Sequence, residues 1–240
     1  MRLQLLAISP GPLDEAWLCK FEQLLPLGDK LGLLFRDTTS HARSYFEQAQ
    51  QLAKRCRSAQ VAFFIHRRLD MALALDAHLH LPSYGLAPSQ VRPHLPPHLC
   101  ISVSVHNDEE AKKAHKANFA LVSPVFPPGS KTEKTRTPHT QPPPTHTPHI
   151  HPLHIHPPGG EQPPSTSPPA YATLGPAGFL RLAQQLPCPA WALGGIHLEH
   201  LQALQRYLKH PPPLAGIAVV SALWKAAKPF EVAQALLACL

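Results

Sequence analysis

Charge, ordered cysteine spacing and long apolar runs are what this sequence is short of. Only 15% of its 240 residues are Asp, Glu, Lys or Arg, and the basic ones are scattered, with no run of five and no aromatic-interleaved patch. The net charge of +7 therefore suits a small phosphorylated molecule better than duplex DNA or RNA, and no nucleic-acid partner is expected. Five cysteines (Cys19, Cys56, Cys100, Cys188 and Cys239) form no C-x-x-C pair and no metal-ligand spacing. An odd count without signal-peptide context reads as reduced thiols packed as small apolar groups, so a cytoplasmic setting is expected. No stretch approaches the roughly eighteen consecutive apolar residues of a membrane-spanning helix, so no membrane partner is expected. The opening "MRLQLLAISPGP" is short for a signal segment and reads as a first strand closed by a turn. No GxGxxG follows that strand.

Proline, by contrast, is abundant, and it is unevenly placed. Of 30 prolines, fourteen lie between Pro127 and Pro169, together with six histidines and almost no large apolar residues. Such a segment cannot bury enough surface to offset its ordering entropy, and it is predicted to be a mobile, partly polyproline-like insertion at about 128–173. Within it, His149-x-His151-x-x-His154-x-His156 has imidazoles enough to chelate Zn²⁺, Ni²⁺ or Cu²⁺ weakly. A functional metal site also needs fixed geometry and an outer shell of hydrogen bonds, which frequent prolines do not supply, so no dedicated metal site is expected.

Outside that segment the chain alternates short apolar runs with helical patterns, the signature of βα units and a parallel sheet. Strands are predicted at 3–9, 31–37, 61–66, 78–82, 100–106, 119–126, 189–195 and 216–222. Helices or helical turns follow each, at 13–25, 41–56, 69–75, 87–95, 107–117, 176–186, 198–209 and 229–240. Eight repeats in just under about 200 residues predict a compact (β/α)8 barrel, a single domain over 1–240 interrupted after the sixth strand. A doubly wound open sheet is the alternative; it uses fewer strands and a glycine-rich first turn.

In a barrel, chemistry sits at the C-terminal strand ends. Collected there are Arg36, His66, the segment "HLPS" (80–83), Ser104, His106, Ser130 and Lys131, then "LGGI" with Gly194 and Gly195, and "VVSALW" with Val220 and Ser221. Two glycines let a ligand approach backbone closely, and N–H groups beside Ser221 suit a phosphate. A tight turn at the glycines and a surface cap at Ser221 is the plainer alternative.

The ordered motifs "HRRLDMALAL", "HLPSYGLAPSQVR", "SVSVHNDEEAKKA", "FALVSPVFPPGSK", "WALGGI" and "GIAVVSALW" resemble the thiamine phosphate synthase/TenI family across nearly the whole chain outside the insertion. The resemblance implies a (β/α)8 barrel of thiamine biosynthesis. Gly194, Gly195, Val220 and Ser221 would hold the phosphate of a thiazole phosphate, with Arg36, Ser104, Ser130 and Lys131 as further substrate contacts. One branch of the family joins an aminopyrimidine diphosphate to the thiazole phosphate with Mg²⁺; the TenI branch binds thiazole phosphate and in some members tautomerises its ring.

The synthase pattern has an Asn-Asp pair at the end of strand three, an acidic residue after strand four and Gln-x-Arg-x-Lys after strand two. This sequence has His66-Arg67, "PSYG" (82–85) and Leu34-Phe35-Arg36-Asp37-Thr38 in those places, keeping the arginine and, at Lys131, the lysine after strand six. Asp37 or Asp70 could in principle substitute, and Asp70 reads as a partner of a helix N-terminus. No cofactor is therefore expected; Mg²⁺ belongs to the synthase alternative. The TenI pattern fits better through "LPS" and "SVHN", although its catalytic histidine falls on Pro124. Tautomerisation needs an acid/base, and His106, then His66, are the candidates. A packed histidine bonded to a loop is the plainer reading of His106. The predicted function is thiazole-phosphate binding with tautomerase or accessory action; active synthase and non-catalytic ligand sensor are the alternatives. A homo-oligomer is possible.

Overall fold

A computed structural model describes residues 2–127, 172–208 and 214–240. Eight parallel strands close into a barrel in sequence order, β1 pairing with both β2 and β8. They are β1 (Leu5–Ile8), β2 (Leu31–Phe35), β3 (Ala62–His66), β4 (His78–Leu81), β5 (Ile101–Val105), β6 (Phe119–Val122), β7 (Ala190–Leu193) and β8 (Leu214–Val219). The helices are α1 (Glu15–Leu24), α2 (Ala42–Ser58), α3 (Leu69–Leu75), α4 (Pro88–Val91), α5 (Asp108–Lys113), α6 (Gly175–Gln185), α7 (Leu198–Leu208), α8 (Ser221–Trp224) and α9 (Pro229–Ala238). The order matches the βα rhythm of the sequence. The expected insertion, and Ser130 and Lys131 with it, lies outside the described residues except at 172–173.

Alternation along each strand sorts residues into two cores. One set of side chains, including Ala7, Leu33, Ile65, Leu79, Val103 and Val122, faces the helices. The helices answer with one apolar stripe each: α2 buries Tyr45, Ala49, Leu52, Ala53 and Cys56, a spacing of three to four residues that keeps one face inward. The other set, Leu6, Ile8, Leu34, Phe64, Phe119, Leu121, Trp191 and Ala218, fills the barrel interior. There Phe119 stacks on Trp191 with centroids 4.6 Å apart and meets Phe64 edge-on at 5.7 Å. The Trp191 indole lies across Gly216, where a β-carbon would come within 2.6 Å of the ring.

Differences from the sequence reading cluster at strand ends. β6 stops at Val122 rather than 126, because Pro124 has no N–H for the ladder. After β8 the chain makes an additional short helix, α8, before α9. Asn107 caps α5, its side chain accepting from the Glu110 N–H at 2.9 Å. Asp108, the first residue of that helix, pairs with Arg181 of α6.

The ends of the chain meet at one seam. The Trp224 indole N–H donates to the Ile8 carbonyl at 2.5 Å, Lys20 Nζ donates to the Trp224 carbonyl at 2.5 Å, and the rings of Trp17 and Trp224 are 5.6 Å apart.

Candidate functional site

The strand C-termini open on one rim, and the polar residues gather on its β2–β5 side. Apolar packing fills the interior below. At β2, the exposed Arg36 follows the last strand residue, its backbone N–H donating to Ser9 Oγ at 2.8 Å, and Ser9 in turn donates to the Arg36 carbonyl at 3.3 Å. Asp37, next along, is buried. Its Oδ1 accepts from Thr39 N–H, Thr39 Oγ1 and Ser40 N–H, whereas Oδ2 is buried with no partner among the described residues. Burial opposes ionisation of Asp37, but the Ser40 and Thr39 bonds outweigh it and hold the carboxyl below its usual range.

At β3, His66 is 6% exposed and its ring stacks on His80 at 5.8 Å. Burial chiefly, and then the charges of Arg36 and Arg67, push its pKa down to about 3, so the imidazole is neutral at physiological pH. Arg67 follows in a left-handed conformation, φ +67°, with its guanidinium over the Tyr84 ring at 5.6 Å. Asp37, Ser40, Tyr45, His66, Arg67 and Asp70 are among the residues lining a cavity of about 360 Å³ between the β2 and β3 ends. Asp70, in the first turn of α3 as expected, pairs with Arg68 at 3.5 Å.

At β4 and β5, His80 sits between two serines, Nδ1 2.9 Å from Ser102 Oγ and Nε2 3.0 Å from Ser104 Oγ. Ser104 also borders a cavity of about 180 Å³ under the β4–α4 loop. His106, just past β5, has its Nδ1 2.7 Å from Glu110 Oε2, the same oxygen that accepts from the His106 backbone N–H at 2.8 Å. A carboxylate on Nδ1 orients the ring and keeps a proton on that nitrogen, turning Nε2 to face away from Glu110.

The β7 and β8 ends lie side by side, Leu193 pairing with Ala218 one residue before Gly194 and two before Val220. Gly194 and Gly195 have φ of +92° and +63°. Their missing side chains make room for the chain itself. A β-carbon on Gly194 would lie 2.8 Å from Pro124, and one on Gly195 2.5 Å from the Pro127 carbonyl oxygen. The carbonyls of Leu193 and Gly194 accept from Val125 and Phe126, and that of Gly195 from His200 Nδ1 at 2.7 Å. Among the described residues, the N–H groups of Gly194, Gly195, Val220 and Ser221 meet no acceptor. Ser221 is the first residue of α8, with Val220 before it, so the expectation of a cap at Ser221 shifts by one position.

The rim thus brings Arg36, His66, Ser104 and His106 to one side and the four amides to the other. Sequence reasoning collected His80 within "HLPS" without giving it a role, and missed Ser102, Ser9, Glu110 and His200. The alternation in "HLHL" puts His78 and His80 on one strand face, a signal that was available. His200 is reached only through the fold: its ring lies 4.2 Å from Phe126 and 3.7 Å from His197. No helix among the described residues is long and apolar enough to cross a membrane.

Comparison with known proteins agrees with this architecture. The chain is 30% identical over 206 residues to a thiamine-phosphate synthase of Chlorobium luteolum, covering 85% of this chain and 78% of that protein. It is 25% identical over 228 residues to the thiamine biosynthetic bifunctional enzyme TH1 of Arabidopsis thaliana, spanning 92% of this chain and 36% of the larger protein. The structure of thiamine phosphate pyrophosphorylase from Pyrococcus furiosus superposes with a TM-score of 0.69 at 20% identity, covering 99% of this chain and 95% of that one; at that identity it speaks to the fold alone. The family model described as thiamine monophosphate synthase matches residues 7–142, more than half the chain, and this protein belongs to that family.

Proposed function

We propose that this barrel binds a thiazole phosphate in thiamine biosynthesis and acts in the TenI manner, as a tautomerase of the thiazole ring or an accessory to its use. The observation that carries the reading is the chemistry of the β3 and β4 rims. Mg²⁺ requires near-octahedral oxygen ligands, usually including carboxylates. His66 and Arg67 end β3, and Pro82 to Gly85 follow β4. Among the described residues no group of three or more His, Cys, Asp or Glu side chains is placed to hold a metal. The orphaned Asp37 Oδ2 is a single oxygen in a cavity it shares with Arg67 and Arg68, and Asp70 is engaged by Arg68. These residues do not fit a magnesium site.

The amides of Gly194, Gly195, Val220 and Ser221 support a phosphate at the β7–β8 end, since backbone donors without protein acceptors attract anions. Arg36 and Ser104 supply polar contacts across the mouth; Lys131 and Ser130 remain candidates from sequence. His106, held by Glu110, takes the acid/base role. It removes a proton at one ring position and returns it at another, and His66 is the second candidate. The synthase reading is favoured by the names of the relatives.

Two assays separate the readings. Incubation with aminopyrimidine diphosphate, thiazole phosphate and Mg²⁺ is expected to give no thiamine phosphate above background, and steady product formation would overturn the TenI-like reading. Tautomer interconversion is expected to fall roughly 100-fold or more in His106→Ala. Equal rates in wild type and variant would remove His106 from the chemistry, and a wild-type rate at background with intact binding would favour the non-catalytic sensor.

A further inference from the structure

The barrel interior holds a histidine that this chemistry leaves unused. His80 is 3% exposed on β4, with Ser102 Oγ at 2.9 Å from Nδ1 and Ser104 Oγ at 3.0 Å from Nε2. Burial chiefly, then the nearby His66, Arg36 and His106, hold its pKa well below the ordinary value. A neutral imidazole has one donor and one acceptor nitrogen, so one serine donates to the ring and the other accepts from it.

Ser102 decides which. Its side chain is fully buried, and its hydroxyl meets no polar atom besides His80 among the described residues. Were it to accept from Nδ1, its own proton would be stranded in an apolar interior, a penalty that biases the population roughly 5- to 150-fold against that arrangement. Ser104 is under no such constraint. It is partly exposed at the rim and can turn its proton toward a partner outside the protein.

We propose that the hydrogen bonds run outward in one direction, from Ser102 O–H to His80 Nδ1 and from His80 Nε2–H to Ser104 Oγ, so that Ser104 presents its own O–H as a fixed donor to the bound heterocycle. This rests on the reading that the barrel mouth takes a thiazole phosphate. His80 is then a positioning residue and not the proton acceptor of tautomerisation, since accepting from Ser104 would require the whole chain to reverse. The ligand atom facing Ser104 carries a lone pair, as a ring nitrogen or a carboxylate oxygen does, and a ligand offering N–H there is rejected because two donors meet.

The test reads the tautomer first. In the full chain with ¹⁵N-labelled histidine, His80 is expected to show the Nε2–H tautomer, unchanged from about pH 8 to pH 5.5. An Nδ1–H signal overturns the proposal. Affinity for thiazole phosphate follows, by calorimetry. Ser104→Ala is expected to weaken it roughly five-fold, and Ser102→Ala by a similar factor although Ser102 lies below the mouth. Ser102→Thr, which keeps the hydroxyl, restores it. Unchanged affinity in Ser102→Ala overturns the positioning role. If wild type shows the Nε2–H tautomer yet binds no thiazole phosphate, the direction of the chain stands and the ligand reading falls.

Discussion

Replacing Gly195 with alanine tests whether the glycine pair exists for the ligand or for the barrel. A β-carbon there would sit 2.5 Å from the Pro127 carbonyl oxygen and 2.8 Å from Phe126 backbone and side-chain atoms, on a backbone at φ +63°. The left-handed conformation costs a non-glycine residue about 1–2 kcal/mol. Forcing a methyl against backbone costs about 1–3 kcal/mol more, because the neighbours cannot rotate away as a flexible side chain would. The sum is about 2–5 kcal/mol, or a melting-temperature drop of roughly 4–20 °C for a domain of this size. The assay is urea unfolding of the ligand-free protein followed by circular dichroism. Gly216→Ala is the companion: its β-carbon meets the Trp191 ring at 2.6 Å, without a positive φ, so only the steric part of about 1–3 kcal/mol is expected. If ligand-free Gly195→Ala is as stable as wild type, within about 0.5 kcal/mol, the packing argument is refuted and the space belongs to the ligand.

Other outcomes follow from the same residues. His66 and His78 are pushed down to about 3 and about 4, burial being the main cause for both, and His80 well below its ordinary value. Each depressed histidine stays neutral in the native state while its unfolded counterpart protonates. Each therefore removes about 1.4 kcal/mol of stability per pH unit as pH falls from about 6.5 toward the folded pKa. Denaturation series at pH 7 and pH 5 check this, and a difference below about 1 kcal/mol would contradict it. Affinity for thiazole phosphate is expected to be the same with EDTA as with Mg²⁺, and a loss of binding on chelation would restore the metal. Deleting residues 138–169, where the sequence is rich in proline and poor in large apolar groups, is expected to leave the unfolding midpoint nearly unchanged.

The barrel was legible because short, nearly continuous apolar runs, as strands buried on both faces require, alternate with helical apolar stripes from "LQLLAIS" to "PFEVAQALLACL". Strand ends were legible to within a few residues, which located Arg36, His66, Ser104 and His106 on the rim. Partnership was not. Nothing in the spacing of His80, Ser102 and Ser104 says that two strands in register place both hydroxyls on one ring. The reason for Gly194 and Gly195 was hidden too: the group that crowds them comes from a segment about seventy residues earlier, brought across by the β6–β7 pairing. Local patterns reveal which face a residue takes, whereas its neighbours there depend on closure of the whole ring.

The seam between Ile8, Lys20 and Trp224 has a consequence for how the protein is made. β1 leaves the ribosome well before its second neighbour, β8, the strand that closes the ring. Trp224 ties the turn that follows β8 to the Ile8 carbonyl. A nascent chain halted before β8 therefore carries an open strand edge that invites mispairing until the ring closes and Trp224 fastens it.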